Sequence, residues 1–151
     1  MSDNDTLNIF LTLYVAEAQV LYVTLSADGT IHRMGTGSEY NEEFDLFIGR
    51  STRNMFDCLS SQVTPGLLQW VGEYTDQHLK GKHCRLTIGI RQANGKEMIS
   101  RWEYGTLSQS PPPEICEFVL AAIKVTDPWY ELQKQHANPR KKIGREREER
   151  E

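Results

Sequence analysis

The sequence predicts an α+β domain. An antiparallel sheet from two β-hairpins carries helices packed mainly on one face, in the order ββ-αα-ββ-α. Three observations carry this expectation. Two stretches alternate apolar and polar residues on either side of Asp28-Gly29 or Asn94-Gly95, the short-range signature of a hairpin. Helical spacing falls between and after these hairpins rather than between single strands, which favours antiparallel pairing. The chain has 151 residues, 38% hydrophobic and 25% charged, enough for one domain to bury a core without disulfide or metal staples.

In chain order, Leu7, Ile9, Leu11, Leu13 and Val15 recur at period two and predict a strand. A helix running on through Ala16, Glu17 and Ala18 is the rival reading. Residues 20–25 and 30–34 form the first hairpin around Asp28-Gly29, and Gly35-Thr36-Gly37-Ser38 closes it. Phe44, Leu46, Phe47 and Ile48 suggest a short strand or an extended segment. Ser51 is an expected N-cap for a helix over 52–62, with Met55, Phe56, Leu59 and Val63 as its apolar face. Thr64-Pro65 is a sharper start, and Leu67, Trp70, Val71, Tyr74 and His78 extend a helical pattern to about Leu79. The second hairpin pairs 84–90 with 98–104 around Asn94-Gly95. Pro111-Pro112-Pro113 then sets up a helix bearing Ile115, Phe118, Val119, Ala122 and Ile123. Asp127-Pro128 is expected to end or kink it, with a short helix over 129–135 to follow.

The domain is expected over 1–137, with 138–151 as a charged, disordered or frayed-helical tail. That tail holds six Lys/Arg and four Glu, so it carries about +2 while the body carries about −6 of the formal net −4. An acidic body argues against a dedicated nucleic-acid binder. Weak RNA contact through Arg140, Lys141 and Lys142 is the narrower alternative. Glu17 and Gln19 interrupt the apolar stretch from Ile9 to Leu25, and the acidic N-terminus has no basic leader region. A cytoplasmic protein without a membrane partner is therefore expected.

The chemistry-bearing motifs point away from catalysis. Gly35-Thr36-Gly37-Ser38 is followed by Glu39 rather than a lysine, so it reads as a hairpin exit and not a phosphate loop. Cys58, Cys84 and Cys116 show no paired spacing and are expected as buried thiols in a reducing compartment. His83 and Cys84 are adjacent, point to opposite faces of a strand and cannot chelate together, so no metal or cofactor is predicted. The acidic residues Glu42, Glu43 and Asp57, together with Glu73 and Asp76 on the polar side of the second helix, read as solvated.

The most suggestive stretch is Arg101-Trp102-Glu103-Tyr104, with Arg85 and Arg91 on the partner strand. Arginine beside aromatics is the composition of interface anchors. The competing reading puts Trp102 and Tyr104 in the core and makes the Arg/Glu pairs cross-strand ion pairs. The expectation is a non-enzymatic binding or regulatory domain acting through protein contacts, for example an immunity or inhibitor-like protein. The alternative is a small-ligand binder or enzyme whose site is assembled from His32, His78 and Asp28. A homodimer is left open.

Overall fold

A computed structural model describes residues 6–137. The chain forms one seven-stranded sheet in the order β4-β3-β2-β1-β6-β7-β5. Its strands are β1 (Thr6–Val15), β2 (Ala18–Ser26), β3 (Thr30–Met34), β4 (Phe47–Arg50), β5 (Gly72–Thr75), β6 (His83–Gln92) and β7 (Glu97–Gly105). The helices are α1 (Arg53–Ser60), α2 (Pro65–Leu68) and the long α3 (Pro113–Ala137). All pairings are antiparallel except β5 with β7. The fold is a mixed α+β one with a mostly antiparallel sheet. No described helix is long and apolar enough to cross a membrane.

Period-two alternation puts Ile9, Leu11, Leu13 and Val15 of β1 on the same side as Val23 and Leu25 of β2 and Leu86, Ile88 and Ile90 of β6. The buried residues of the helices, Phe56, Leu59, Leu67, Ile115, Phe118, Ala122 and Trp129, join them in one cluster. Both Gly-containing turns are built alike. Gly29 and Gly95 donate their N–H groups to Ser26 O and Gln92 O, and each takes a positive φ, +96° and +86°. A side chain there would meet the steric penalty that glycine avoids.

Several expectations need correction. The helix read through Ala16 and Glu17 is a two-residue turn joining β1 to β2. Both residues hold positive φ, 49° and 70°, which matches the right-handed twist of the flanking strands. Among the described residues the sheet has seven strands, adding β1, β4 and β5 to the four of the two expected hairpins. The first helix is shorter than 52–62, and Thr52 rather than Ser51 is its N-cap, accepting from Met55 N–H. The helix expected to run from Pro65 to Leu79 stops at Leu68, capped as expected by Thr64. The chain then turns at Gly72 (φ +119°) into β5. There Tyr74 stacks on Trp102 at 4.2 Å and 15° between planes, a contact a continued helix would forfeit. Glu73 and Asp76 therefore lie on and beside an edge strand, not on a helix.

Asp127-Pro128 does not end α3, which continues past it to Ala137. Proline lacks the N–H that would satisfy Lys124 O four residues back. Lys124 and Pro128 both lie on the exposed side of the helix, where a missing backbone hydrogen bond costs least. Trp129 and Tyr130 are meanwhile buried, which holds the helix together past the proline. Cys84 is buried and Cys116 half-buried, but Cys58 is exposed, because α1 turns Phe56 and Leu59 inward. Arg140, Lys141, Lys142 and the rest of the expected charged tail over 138–151 lie outside the described residues.

Candidate interaction face

The alternation that buries one side of the sheet leaves the other side uncovered among the described residues. Asn8, Phe10, Thr12 and Tyr14 of β1 face outward, as do Tyr22 and Thr24 of β2, His32 of β3 and Ile48 of β4. On the other half of the sheet, Arg85, Thr87, Gly89 and Arg91 of β6 and Glu97, Ile99, Arg101 and Glu103 of β7 do the same. Ile48 is 63% exposed and Ile99 42%.

Two halves of this face differ in chemistry. Across β1, β2 and β3 runs an aromatic row. Phe10 and Tyr22 meet edge to face at 5.8 Å, and Tyr22 meets the His32 ring at 6.2 Å, within the range where such pairs attract. Across β6, β7 and β5 runs a charged row. Arg101 pairs with Glu73 at 3.1 Å, Arg91 with Glu97 at 4.0 Å and His83 with Glu103 at 3.4 Å. Arg85 lies over the Tyr14 ring at 5.4 Å and joins the two halves. Gly89 stands opposite Phe10 in the β1–β6 register. The Phe10 ring leans over Gly89, 3.2 Å from where a Cβ would stand, and beside it lies a hollow of about 240 Å³ lined by Phe10, Thr87, Ile99, Arg91 and Arg101.

The sequence-selected residues divide between the two sides of the sheet. Arg85, Arg91 and Arg101 are on the open face. Trp102 and Tyr104 are on the helix side, where the alternation puts them, but at its margin and only half-buried. The ligand-site candidates are not brought together. His32 is on the open face. Asp28 accepts the Thr30 N–H in the β2–β3 turn at 2.9 Å, and hydrogen bonding from Thr30 holds its carboxyl below the usual carboxylate range. His78 follows β5, five strand spacings from β3 and so ~24 Å away. Among the described residues, no group of three or more His, Cys, Asp or Glu is placed to hold a metal. The residues that sequence reasoning missed are Phe10, Tyr14, Tyr22 and Gly89. The signal was the polar phase of β1 and β2, where aromatics occupy the positions that alternation assigns to solvent.

The flank built by β3, β4 and the second half of α3 is closed by a polar network. Arg33 is 1% exposed. It donates to Gly35 O at 2.8 and 3.1 Å, Thr126 Oγ1 at 2.8 Å and Asp127 Oδ1 at 2.9 Å, and lies over the Tyr130 ring at 4.3 Å. Tyr130 Oη in turn accepts the Gly35 N–H at 3.0 Å. Gly35 has φ +85°, and an added Cβ would collide with Val20 O. The Gly35-Thr36-Gly37-Ser38 loop is thus occupied in docking β3 to β2 and α3. Burial opposes ionisation of Glu43, but hydrogen bonds from Lys134 and Tyr130 and the charges of Lys134 and Arg33 outweigh it and hold the carboxyl below its usual range. Burial, reinforced by Glu43, pushes the Tyr130 phenol up to about 12.

Comparison of the chain with protein-family models, with curated proteins and with solved structures returns no match.

Proposed function

We propose that this chain is a non-enzymatic, protein-binding domain of the immunity or inhibitor-like kind, and that it presents the uncovered sheet face to its partner. The carrying observation is the aromatic row of Phe10, Tyr22 and His32 beside the arginine-rimmed hollow at Gly89. Buried anchors in interfaces are enriched in Tyr and Arg and seat in pockets. Arg91 and Arg101 on this face are already matched by Glu97 and Glu73, which favours a mixed-charge protein surface over a phosphate backbone.

The test is capture of partners from native lysate at mild salt by the tagged full chain, by Tyr22→Glu and by Gly89→Thr. Tyr22→Glu puts a charge in the aromatic row, and Gly89→Thr fills the hollow. Both positions are off the core, so circular dichroism should match the parent; the new Cβ at position 89 would stand 3.2 Å from Phe10 Cδ1 and displace that ring, so a small shift in melting is expected for Gly89→Thr. The expected result is a stoichiometric partner retained by the parent and lost from both variants. Equal capture by folded variants, or no stoichiometric partner at all, overturns the reading.

A further inference from the structure

A second surface lies on the opposite side of the sheet, at the flank where β7 and β5 meet the start of α3. Trp70 follows α2, Tyr74 is on β5, and Trp102 and Tyr104 are on β7. Together they floor a groove of about 710 Å³, walled by Pro111, Pro112 and Pro113. The rings form a rigid block. Tyr74 stacks on Trp102, and Trp70 stands edge-on to both, at 5.8 Å from Tyr74 and 5.7 Å from Trp102. Ser100 Oγ accepts the Trp102 indole N–H at 2.7 Å and Val71 O accepts the Tyr74 hydroxyl at 2.8 Å, so both rings are held in place before any ligand arrives.

Among the described residues, the carboxylates directed to the groove are Asp76 and Glu114, Glu103 contributing to its wall while its side chain belongs to the open face, and no Lys, Arg or His lines it. Elsewhere on this molecule carboxylates sit beside cations, as in the Glu73–Arg101 and Glu43–Lys134 pairs. Within the groove, among the described residues, Asp76 and Glu114 give charge of one sign. Glu103 does reach His83 at 3.4 Å, outside the lining. The Trp70 indole N–H is enclosed and has no hydrogen-bond partner among the described residues. Such a donor costs ~1–3 kcal/mol, and groups of this kind concentrate where a surface serves something besides stability.

We infer that this groove docks an extended, arginine-bearing peptide segment of another protein, in polyproline-like conformation. Aromatic-lined grooves accept extended proline-rich backbones. A guanidinium is the cation that both stacks on an aromatic face and pairs with carboxylates. One-signed charge selects that partner and excludes an acidic one. The groove goes beyond the sheet-face reading and does not depend on it, because the two surfaces lie on opposite sides of the sheet.

The experiment is a titration of the full chain, followed by NMR of the indole N–H resonances, with a synthetic peptide of Pro-Pro-Arg repeats. A Pro-Pro-Gln repeat peptide is the control. The chain has three tryptophans, and Trp129, packed over Gly49 on the other flank, serves as an internal reference. Saturable shifts of the Trp70 and Trp102 signals with Trp129 unmoved are expected. The Gln peptide and the Asp76→Asn/Glu114→Gln variant should each bind at least ~10-fold more weakly, and added salt should weaken binding. Tyr22→Glu, which fails the sheet-face test, should bind the peptide like the parent. Absence of saturable shifts at millimolar peptide, equal binding of the Gln peptide, or shifts of the same indoles with protein concentration alone overturns the proposal. The last result would assign the groove to a second copy.

Discussion

The two flanks of the helix layer solve the same problem in opposite ways. At the β3–β4 flank, polar groups go into the interior and each finds a partner: Arg33 has carbonyl, hydroxyl, carboxylate and ring, and the Tyr130 hydroxyl has Gly35 N–H and Glu43. At the β7–β5 flank, aromatic rings pack on one another, the Trp70 N–H is left unpaired, and carboxylates rim an open groove. The first arrangement fixes α3 on the sheet. The second preserves a surface. The difference teaches that burial of polar groups by itself does not mark a functional site. Satisfaction of those groups separates a structural lock from a surface held for use.

The largest expected effect is on the lock. Arg33→Ala should cost about 3–5 kcal/mol in urea unfolding, the range for breaking a buried ion pair from one side. The acceptor Gly35 O would be left enclosed, although Asp127 at 47% exposure can turn to water, which places the expectation at the lower end. A loss under ~1 kcal/mol would mean that the network is ornamental and would collapse the comparison.

Next is a matched pair. Tyr130→Phe removes a hydroxyl that pairs with Gly35 N–H and Glu43, and should cost about 1–2 kcal/mol. Trp70→Phe removes a donor with nothing to lose. The relief of an unpaired N–H there offsets the smaller ring, so stability should change by less than ~1 kcal/mol. Thermal melts of the two variants check this directly. Equal losses would mean that Trp70 has a partner of the same worth as Tyr130.

The pH dependence sharpens the contrast further. Tyr130 has a folded-state pKa raised from 10.0 to about 12 by burial and by Glu43. Its contribution is complete below pH 10, where both states hold the proton. It is lost as pH rises from 10 towards 12, because the unfolded state ionises first. Tyr104, raised by burial and by the nearby Cys84 and Cys116, acts in the same direction. Glu43 has the opposite sign. Its folded-state pKa lies below 4.5, so its contribution is present above pH 4.5 and lost as pH falls below it. Urea midpoints measured across pH should therefore fall at both extremes. Tyr130→Phe should flatten the alkaline limb only in part, since Tyr104 still contributes.

The smallest expected change touches neither flank. Ala16 and Glu17 hold positive φ without being Gly, Asn or Asp. Replacing them by Asn and Gly should stabilise the chain by about 1 kcal/mol. Peptide binding at the groove and capture at the sheet face should be unchanged. A shift in either would show that the β1–β2 turn is coupled to a surface.

Much of the fold was legible in local pattern. Alternation marked β1, β2, β3, β6 and β7, Asp28-Gly29 and Asn94-Gly95 marked two turns, and Thr64-Pro65 and Pro113 marked helix starts. The Ala16-Glu17 turn was not legible, because both residues favour helix and the flanking strands alone impose the left-handed conformation. Little of the candidate surfaces could be read. Trp102 and Tyr104 were correctly set on one face and Arg101 and Glu103 on the other, but Phe10 and Tyr22 read as ordinary strand aromatics. Alternation within each strand sets them opposite the apolar phase, but that their side stays uncovered among the described residues depends on where the helices pack.

By itself the sequence determined which segments alternate, where the chain reverses at glycine, and that the C-terminal region is helical, since backbone conformation answers to neighbouring residues. The tertiary structure alone decided that residues 72–75 are strand, that α3 passes Pro128, that Arg33 is interior and that one sheet face stays open. Three of those depend on a partner distant in sequence: Trp102 for Tyr74, Gly49 and Gly35 against Trp129 and Tyr130 for α3, and Asp127 for Arg33. A free energy shared between remote residues leaves no periodic trace in either segment.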